Sequence, residues 1–138
     1  AYPGEEEKDF NETLNLIKAV EFINSYSFIF SPRPGTTAES LKLIDPKISF
    51  KRLEKVQKEL NDIQNKKNKL FENKIVNVLV ENQTKDKIHF FGRSEYMTSV
   101  IFNAKKDDIG KIIPVKIKKS NRSTLFGEII NNSTQKVA

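Results

Sequence analysis

Any chemistry in this chain has to come from cations, hydroxyls and aromatic rings, because it contains no cysteine and one histidine. Two groups of such residues are candidates. The first is the loop Ser31-Pro32-Arg33-Pro34-Gly35-Thr36, which follows the apolar run Tyr26-Ser27-Phe28-Ile29-Phe30. Prolines on both sides of Arg33 stiffen the backbone, and a guanidinium held there can fork onto a phosphate or a carboxylate. An ion pair with Glu39 or Glu5 that only holds the loop explains Arg33 as well, and the residues alone leave both readings open. The second group is Arg93 and Tyr96 of Gly92-Arg93-Ser94-Glu95-Tyr96-Met97, with Lys116, Lys118, Lys119 and Arg122 further on. Aromatic residues interleave with these cations, which suits RNA: bases stack on rings while phosphates meet the charges. Phe90, Phe102 and Phe126, taken singly, read as core. Arg93 and Tyr96, assigned to a turn, are therefore the better contact candidates.

Several other chemistries are excluded. Without cysteine there is no disulfide scaffold or disulfide-linked partner, no thiolate zinc site and no cysteine-ligated iron–sulfur cluster. His89 sits between Ile88 and Phe90 in a strand-like run with no second histidine, so neither a catalytic dyad nor a metal site is expected. Glu5, Glu6, Glu7, Asp9 and Glu12 crowd the start of a helical pattern, where acidic charge complements the helix dipole; a cation site is not needed to explain them. No nucleophile triad, phosphate-binding glycine loop or zinc-ligand spacing is present. No apolar run approaches the roughly 20 residues of a membrane span, and the acidic start is unlike a secretory signal. The expected setting is cytoplasmic. Net charge is +6, but residues 1–45 carry four basic and eight acidic side chains, whereas residues 74–138 carry twelve and six. A basic C-terminal part suits an acidic partner such as nucleic acid, or simply a lysine-rich soluble surface.

The elements that must position these residues follow from the apolar periods. Ala1-Tyr2-Pro3-Gly4-Glu5 reads as a strand end turning into a helix, and with no initiator Met a truncated start is expected. Phe10, Leu14, Ile17 and Val20 recur at helical spacing, and a strand is predicted over Ser25–Phe30, giving a βαβ skeleton whose first strand is mostly missing. Asp45-Pro46 is a helix start, and the helix is predicted to reach Asn73. Its stripe of Leu53, Val56, Leu60, Ile63 and Leu70, interrupted by Lys67, is short for a coiled-coil seam and fits packing on a neighbouring domain better. From Lys74 the period becomes two. Strands are predicted at 75–80, 88–91, 99–102, 112–117 and 124–130, with turn signals at 82–87, Gly92, 107–110 and 120–123. Five short strands in so few residues suggest a small closed barrel, which leaves no sticky edge.

Several of these motifs resemble one family, the radical-SAM methylthiotransferases, and in particular the MiaB-type members that modify tRNA. Tyr2-Pro3-Gly4-Glu5 resembles the family's Phe-Pro-Gly-Glu run, although relatives usually have Thr where Glu6 stands. Phe30-Ser31-Pro32-Arg33-Pro34-Gly35-Thr36 is similar to a second signature; relatives that modify a ribosomal protein tend to carry acids in place of Arg33 and Pro34. Gly92-Arg93-Ser94 with Val100-Ile101-Phe102, Ile109-Gly110 and Ser123-Thr124-Leu125-Phe126-Gly127-Glu128 resemble the TRAM domain, an RNA-binding barrel.

The resemblance implies an α/β plus all-β chain. Residues 1–45 would be a C-terminal βα remnant of a radical-SAM partial TIM barrel, 46–73 a long linker helix, 74–131 a five-stranded TRAM β-barrel and 132–138 a disordered tail. It places Pro3, Gly4, Glu5, Ser31, Arg33, Gly35 and Thr36 on the S-adenosylmethionine side or substrate side of that barrel. Intact family members use S-adenosylmethionine and two 4Fe-4S clusters to add a methylthio group to C2 of N6-isopentenyladenosine beside the tRNA anticodon. The radical-SAM cluster is held by Cys-x-x-x-Cys-x-x-Cys. With no cysteine here, the chain is expected to supply binding of the tRNA anticodon stem-loop without the reaction centre. The competing expectations are a stand-alone TRAM module and a fragment of a ribosomal-protein methylthiotransferase.

Overall fold

In the computed structural model, which describes residues 1–130, the chain divides between Gln64 and Asn65 into two compact units. The polar tail predicted at 132–138 lies outside the described residues. The first unit contains α1 (Glu7–Val20), a 3-10 turn (Thr37–Ser40) and most of α2 (Pro46–Lys69). The N–H of Glu6 donates to Asp9 Oδ2 at 2.8 Å, so an acid three residues on serves the helix start although Glu6 replaces the expected Thr. Pro46 opens α2 as expected, with Asp45 Oδ1 accepting from Lys47 N–H at 2.7 Å. Ile17 of α1 packs with Leu60, Ile63 and Val56 of α2, the apolar stripe read from the sequence.

Two sequence expectations fail here. No strand forms over Ser25–Phe30. That run finds no neighbouring strand to complete a ladder, and its pattern was right for burial that does not occur: Tyr26 and Phe28 are 90% and 81% exposed. The helix α2 also stops at Lys69 and not at Asn73. The amides of Leu70, Phe71 and Glu72 bond three residues back to Lys67, Asn68 and Lys69, a tightened turn that leads to Asn73 at φ +65°. Leu70, beyond the helix, is exposed.

The second unit is a closed barrel of β1 (Ile75–Gln83), β2 (Phe90–Ser94), β3 (Ser99–Asn103), β4 (Ile112–Ser120) and β5 (Thr124–Ile129). Its order around the wall is β1-β2-β3-β5-β4; only β3 and β5 run parallel. Strict alternation sends Val76, Val78, Val80, Phe90, Val100, Phe102, Val115, Ile117 and Leu125 inward to one core. The strand predicted at 88–91 is shifted, so Gly92 and Arg93 lie inside β2 and not in a turn, and His89 lies in the loop before it. Phe126 is not core: it is half-buried and points outward between inward Leu125 and Gly127. Gly92 is required where it is, because a Cβ there would sit 2.4 Å from the Leu79 carbonyl oxygen and 2.6 Å from Val78 Cγ1.

The last turn of α2 belongs to the barrel. Asn68, 1% exposed, donates from Nδ2 to the carbonyls of Asn121 and Arg122 at 2.9 and 2.8 Å. Glu72 Oε1 accepts from the Ser120 amide and hydroxyl at 2.9 and 2.7 Å. Together they grip the tip of the β4–β5 hairpin at three successive residues, Ser120, Asn121 and Arg122. Ser120, together with nearby Lys69 and Lys119, holds the Glu72 carboxyl below its ordinary value.

Two outcomes are expected. Asn68→Ala removes two hydrogen bonds and should cost about 1–3 kcal/mol. The barrel's thermal transition would fall by roughly 5–15 °C, with faster amide exchange at Asn121–Thr124. The grip of Glu72 should persist at neutral pH. Because the folded pKa is the lower one, its contribution is complete above the ordinary glutamate value and is lost as pH falls through the depressed value. An NMR titration of the Ser120 amide should therefore show a midpoint below that of a free glutamate.

Candidate nucleic-acid interface

Because β3 and β5 are parallel, the turn that leads into β3 and the turn that leads into β5 lie at the same end of the barrel, with Ser99 paired to Thr124. That topology gathers four of the six RNA-contact candidates. Arg93 stands at the end of β2 opposite Ser99, Tyr96 in the β2–β3 turn, Lys119 near the end of β4 and Arg122 in the β4–β5 turn. Lys116 faces outward further along β4, paired in register with Ile75 and Glu128. Lys118, at the irregularity between Ile117 and Lys119, is held by Glu128 at 3.1 Å.

The charges differ in availability. Arg93 Nε lies 3.5 Å from Glu81 Oε1, an exposed pair of little energetic weight. Lys119 lies near the Glu72 carboxylate, which it helps keep ionised. Lys116 and Arg122 have no ion-pair partner among the described residues. The Tyr96 ring is 50% exposed and tilted against Phe71, with centroids 5.2 Å apart, so one face is fixed and the rest is open. Phe71 was not singled out in the sequence, since it was assigned to a helix. Three exposed cations, Arg93, Lys119 and Arg122, beside a braced ring at one end of a barrel can neutralise phosphates and stack a base.

At the other end of β2, a tight loop encloses Asp86. Its Oδ1 accepts from the Thr84 hydroxyl at 2.6 Å and from the amides of Ile88 and His89 at 2.8 and 3.0 Å, and its Oδ2 lies 2.7 Å from His89 Nδ1. These donors, Thr84 first, hold the carboxyl far below the usual range. The arrangement accounts for His89 as a loop brace. No group of three or more histidine and acidic side chains able to hold a metal occurs among the described residues.

The candidates of the first unit are placed differently. Gly4 turns the chain at φ +88°, with Glu5 N–H bonded to the Tyr2 carbonyl at 3.0 Å, and Pro3 is buried. The Glu5 carboxylate is taken by Arg52 Nη1 at 2.7 Å, while Arg52 Nη2 meets Glu7 at 3.2 Å and its guanidinium lies 5.3 Å over the Phe10 ring. Arg52 is 8% exposed and went unnoticed in the sequence, where it looks like one more cation on a basic helix. Around the proline loop, Glu39 accepts from Gly35 N–H at 2.8 Å and the Arg33 carbonyl accepts from the Thr36 hydroxyl at 2.8 Å. Ser31, Gly35 and Thr36 are exposed. Glu39 and Glu5 are thus both engaged elsewhere, and the exposed Arg33 guanidinium pairs with neither. No described helix is long and apolar enough to cross a membrane.

Residues 69–130 match the TRAM domain family. Over 137 residues, 99% of the chain, it is 58% identical to the tRNA-2-methylthio-N(6)-dimethylallyladenosine synthase of Pelagibacter ubique. It is 43% identical over 131 residues to the synthase so named in Clostridium novyi, and 41% over 129 residues to that of Clostridium tetani, covering 94% and 92% of the chain. The chain spans less than a third of these proteins, 31%, 29% and 28% of their lengths. By sequence the chain carries a TRAM domain at residues 69–130 and is similar, over nearly all of its own length, to the C-terminal part of proteins named as tRNA-2-methylthio-N(6)-dimethylallyladenosine synthases.

Proposed function

We propose that this chain is the tRNA-binding end of a MiaB-type methylthiotransferase, and that it grips the anticodon stem-loop whose modified adenosine receives the methylthio group. The observation that carries this reading is the 58% identity over 99% of the chain to a protein named for that reaction. The barrel end with Arg93, Tyr96, Lys119 and Arg122 supports it on physical grounds, with Lys116 and Lys118 as flanking phosphate contacts. In this reading residues 74–131 are the RNA-binding domain, 46–73 a linker, and 1–45 the counterpart of the closing part of a radical-SAM barrel. Pro3, Gly4, Glu5, Ser31, Arg33, Gly35 and Thr36 then line its S-adenosylmethionine side or substrate side. Of these, Arg33 is best suited to meet an anion, being exposed and without an ion-pair partner among the described residues.

The residues present do not fit the family's 4Fe-4S clusters. Three thiolates are needed to hold the radical-SAM cluster, and the sequence has no cysteine. Anaerobic reconstitution of this chain with iron and sulfide should leave its visible spectrum featureless; a stoichiometric charge-transfer band would contradict the assignment.

The binding role has its own test. Fluorescence anisotropy with a labelled anticodon stem-loop should show affinity falling steeply with salt. If Arg93, Lys116, Lys119 and Arg122 each neutralise one phosphate, log K against log salt has a slope of about −3. Arg122→Ala should reduce that slope by about one with the fold intact. Affinity that is indifferent to salt would refute the reading.

A further inference from the structure

The outer wall of the barrel carries a feature that the cations do not explain. Register places Phe91 of β2 opposite Ile101 of β3, Ile101 opposite Phe126 of β5, and Phe126 opposite Lys119 of β4. Each of the three apolar residues alternates with inward neighbours, so the row faces outward across three adjacent strands. All three are half-buried and partly open to solvent. They are not among the side chains packed on the core, whose half-buried neighbours are Phe71, Ala104, Ile113 and Ile129. A barrel this small fills its interior with other residues and has no need of two phenylalanines on its exterior.

Resting on the RNA-binding reading above, we infer that this row is a stacking platform for unpaired RNA bases. The row beside it, two residues along each strand, is Arg93–Ser99–Thr124, and Lys119, in register with Phe126, closes the far end of the apolar row itself. The apolar stripe is therefore bordered on one side by the Arg93 guanidinium, whose own contact with Glu81 is long at 3.5 Å, and at its end by the Lys119 ammonium; on the other side the next row is Asn103–Glu128, where Lys118 holds the Glu128 carboxylate at 3.1 Å. That pattern complements a nucleic-acid strand, whose bases are flat and apolar on their faces and whose phosphates run alongside. Neighbouring strands are about 4.8 Å apart, so Phe91 and Phe126 are separated by about 10 Å. Two rings at that distance receive two different bases, with Ile101 as the floor between them. The strand crosses β2, β3 and β5 toward β4, delivering one phosphate to Arg93 and another to Lys119. Stacking reads no base edge, so the platform binds single-stranded RNA with little sequence preference.

The probe is a fluorescein-labelled, unstructured RNA of about twelve nucleotides, within the site size of small barrels. The full chain is titrated against it at several salt concentrations and compared with the double variant Phe91→Leu/Phe126→Leu. Leucine keeps the apolar cover but removes the π face. Affinity should fall by about tenfold or more, with an unchanged salt slope and an unchanged thermal transition. A second readout needs no variant: ring protons of Phe91 and Phe126 in the native chain should shift on saturation with RNA. Native-like affinity of the double variant, or silent rings, overturns the platform; if the variant does not fold, the rings decide. Salt-dependent binding of the stem-loop with silent rings would overturn the platform alone and leave the RNA-binding role standing. A native chain that binds neither RNA would remove both. Self-association that the double variant abolishes, without RNA binding, would assign the row to a protein partner and overturn the proposal.

Discussion

Two places in the barrel wall have no room for a side chain, and the closed sheet depends on both. At Gly92 the backbone of β2 runs against the Leu79 carbonyl of β1; at Gly127 the backbone of β5 runs against the Lys116 carbonyl of β4, where a Cβ would lie 2.6 Å from that oxygen and from Val115 Cγ1. Both are inward positions on strands that must bend around a narrow core. A five-stranded wall has little interior, and it fills it with Val78, Val80, Val100, Val115 and two phenylalanines. Glycine at two inward sites lets neighbouring strands close around those side chains. Once the wall closes, alternation follows along the strands outside the irregularities at Val80–Asn82 and Ile117–Lys119. The outward sites Phe91, Arg93, Ile101, Lys116 and Phe126 then follow from closure.

Electrostatics builds on that frame. Cations on a barrel's exterior keep their hydration and cost little to hold, so their arrangement is free to serve a ligand. What needs bracing is the hairpin tip that carries Arg122, since an exposed turn moves unless something fixes it. Here a buried amide and a carboxylate fix it, and both come from the stretch just before the first strand. The braces contact backbone and hydroxyl groups, leaving the arginine side chain to the solvent.

Much of this was readable in the sequence, and the misses have physical causes. Period-two alternation from Ile75 and the turn residues at 107–110 announced a barrel, and Asp45-Pro46 marked a helix start. The register of β2 was missed because Gly92 looks like a turn when its real cause is a close approach from Leu79, a tertiary fact with no local signature. The strand at Ser25–Phe30 was overpredicted for the opposite reason: local propensity favoured it, but a strand exists only with a partner to bond. Phe126 was misplaced because ring and strand alone do not say which face is inside; the phase is set by Leu125. Arg52 and Asn68 were invisible, being ordinary polar residues of a lysine-rich helix until their partners 47 and 53 residues away are known. The four clustered contact candidates were legible as types, but their meeting at one end depends on the parallel β3–β5 pair, which no spacing reveals.

The grip of Asn68 on the β4–β5 tip means that the barrel's unit of inheritance is larger than its sheet. Asn68 lies within a helix, seven residues before β1 and one residue before the stretch that matches the TRAM domain family. A recombination or grafting event that carried only the five strands to a new host would leave the carbonyls of Asn121 and Arg122 without their donor. A transplant that kept the last helical turn would bring its own buttress. Any protein that acquires this barrel as a working module is therefore obliged to accept it with a helix leading in.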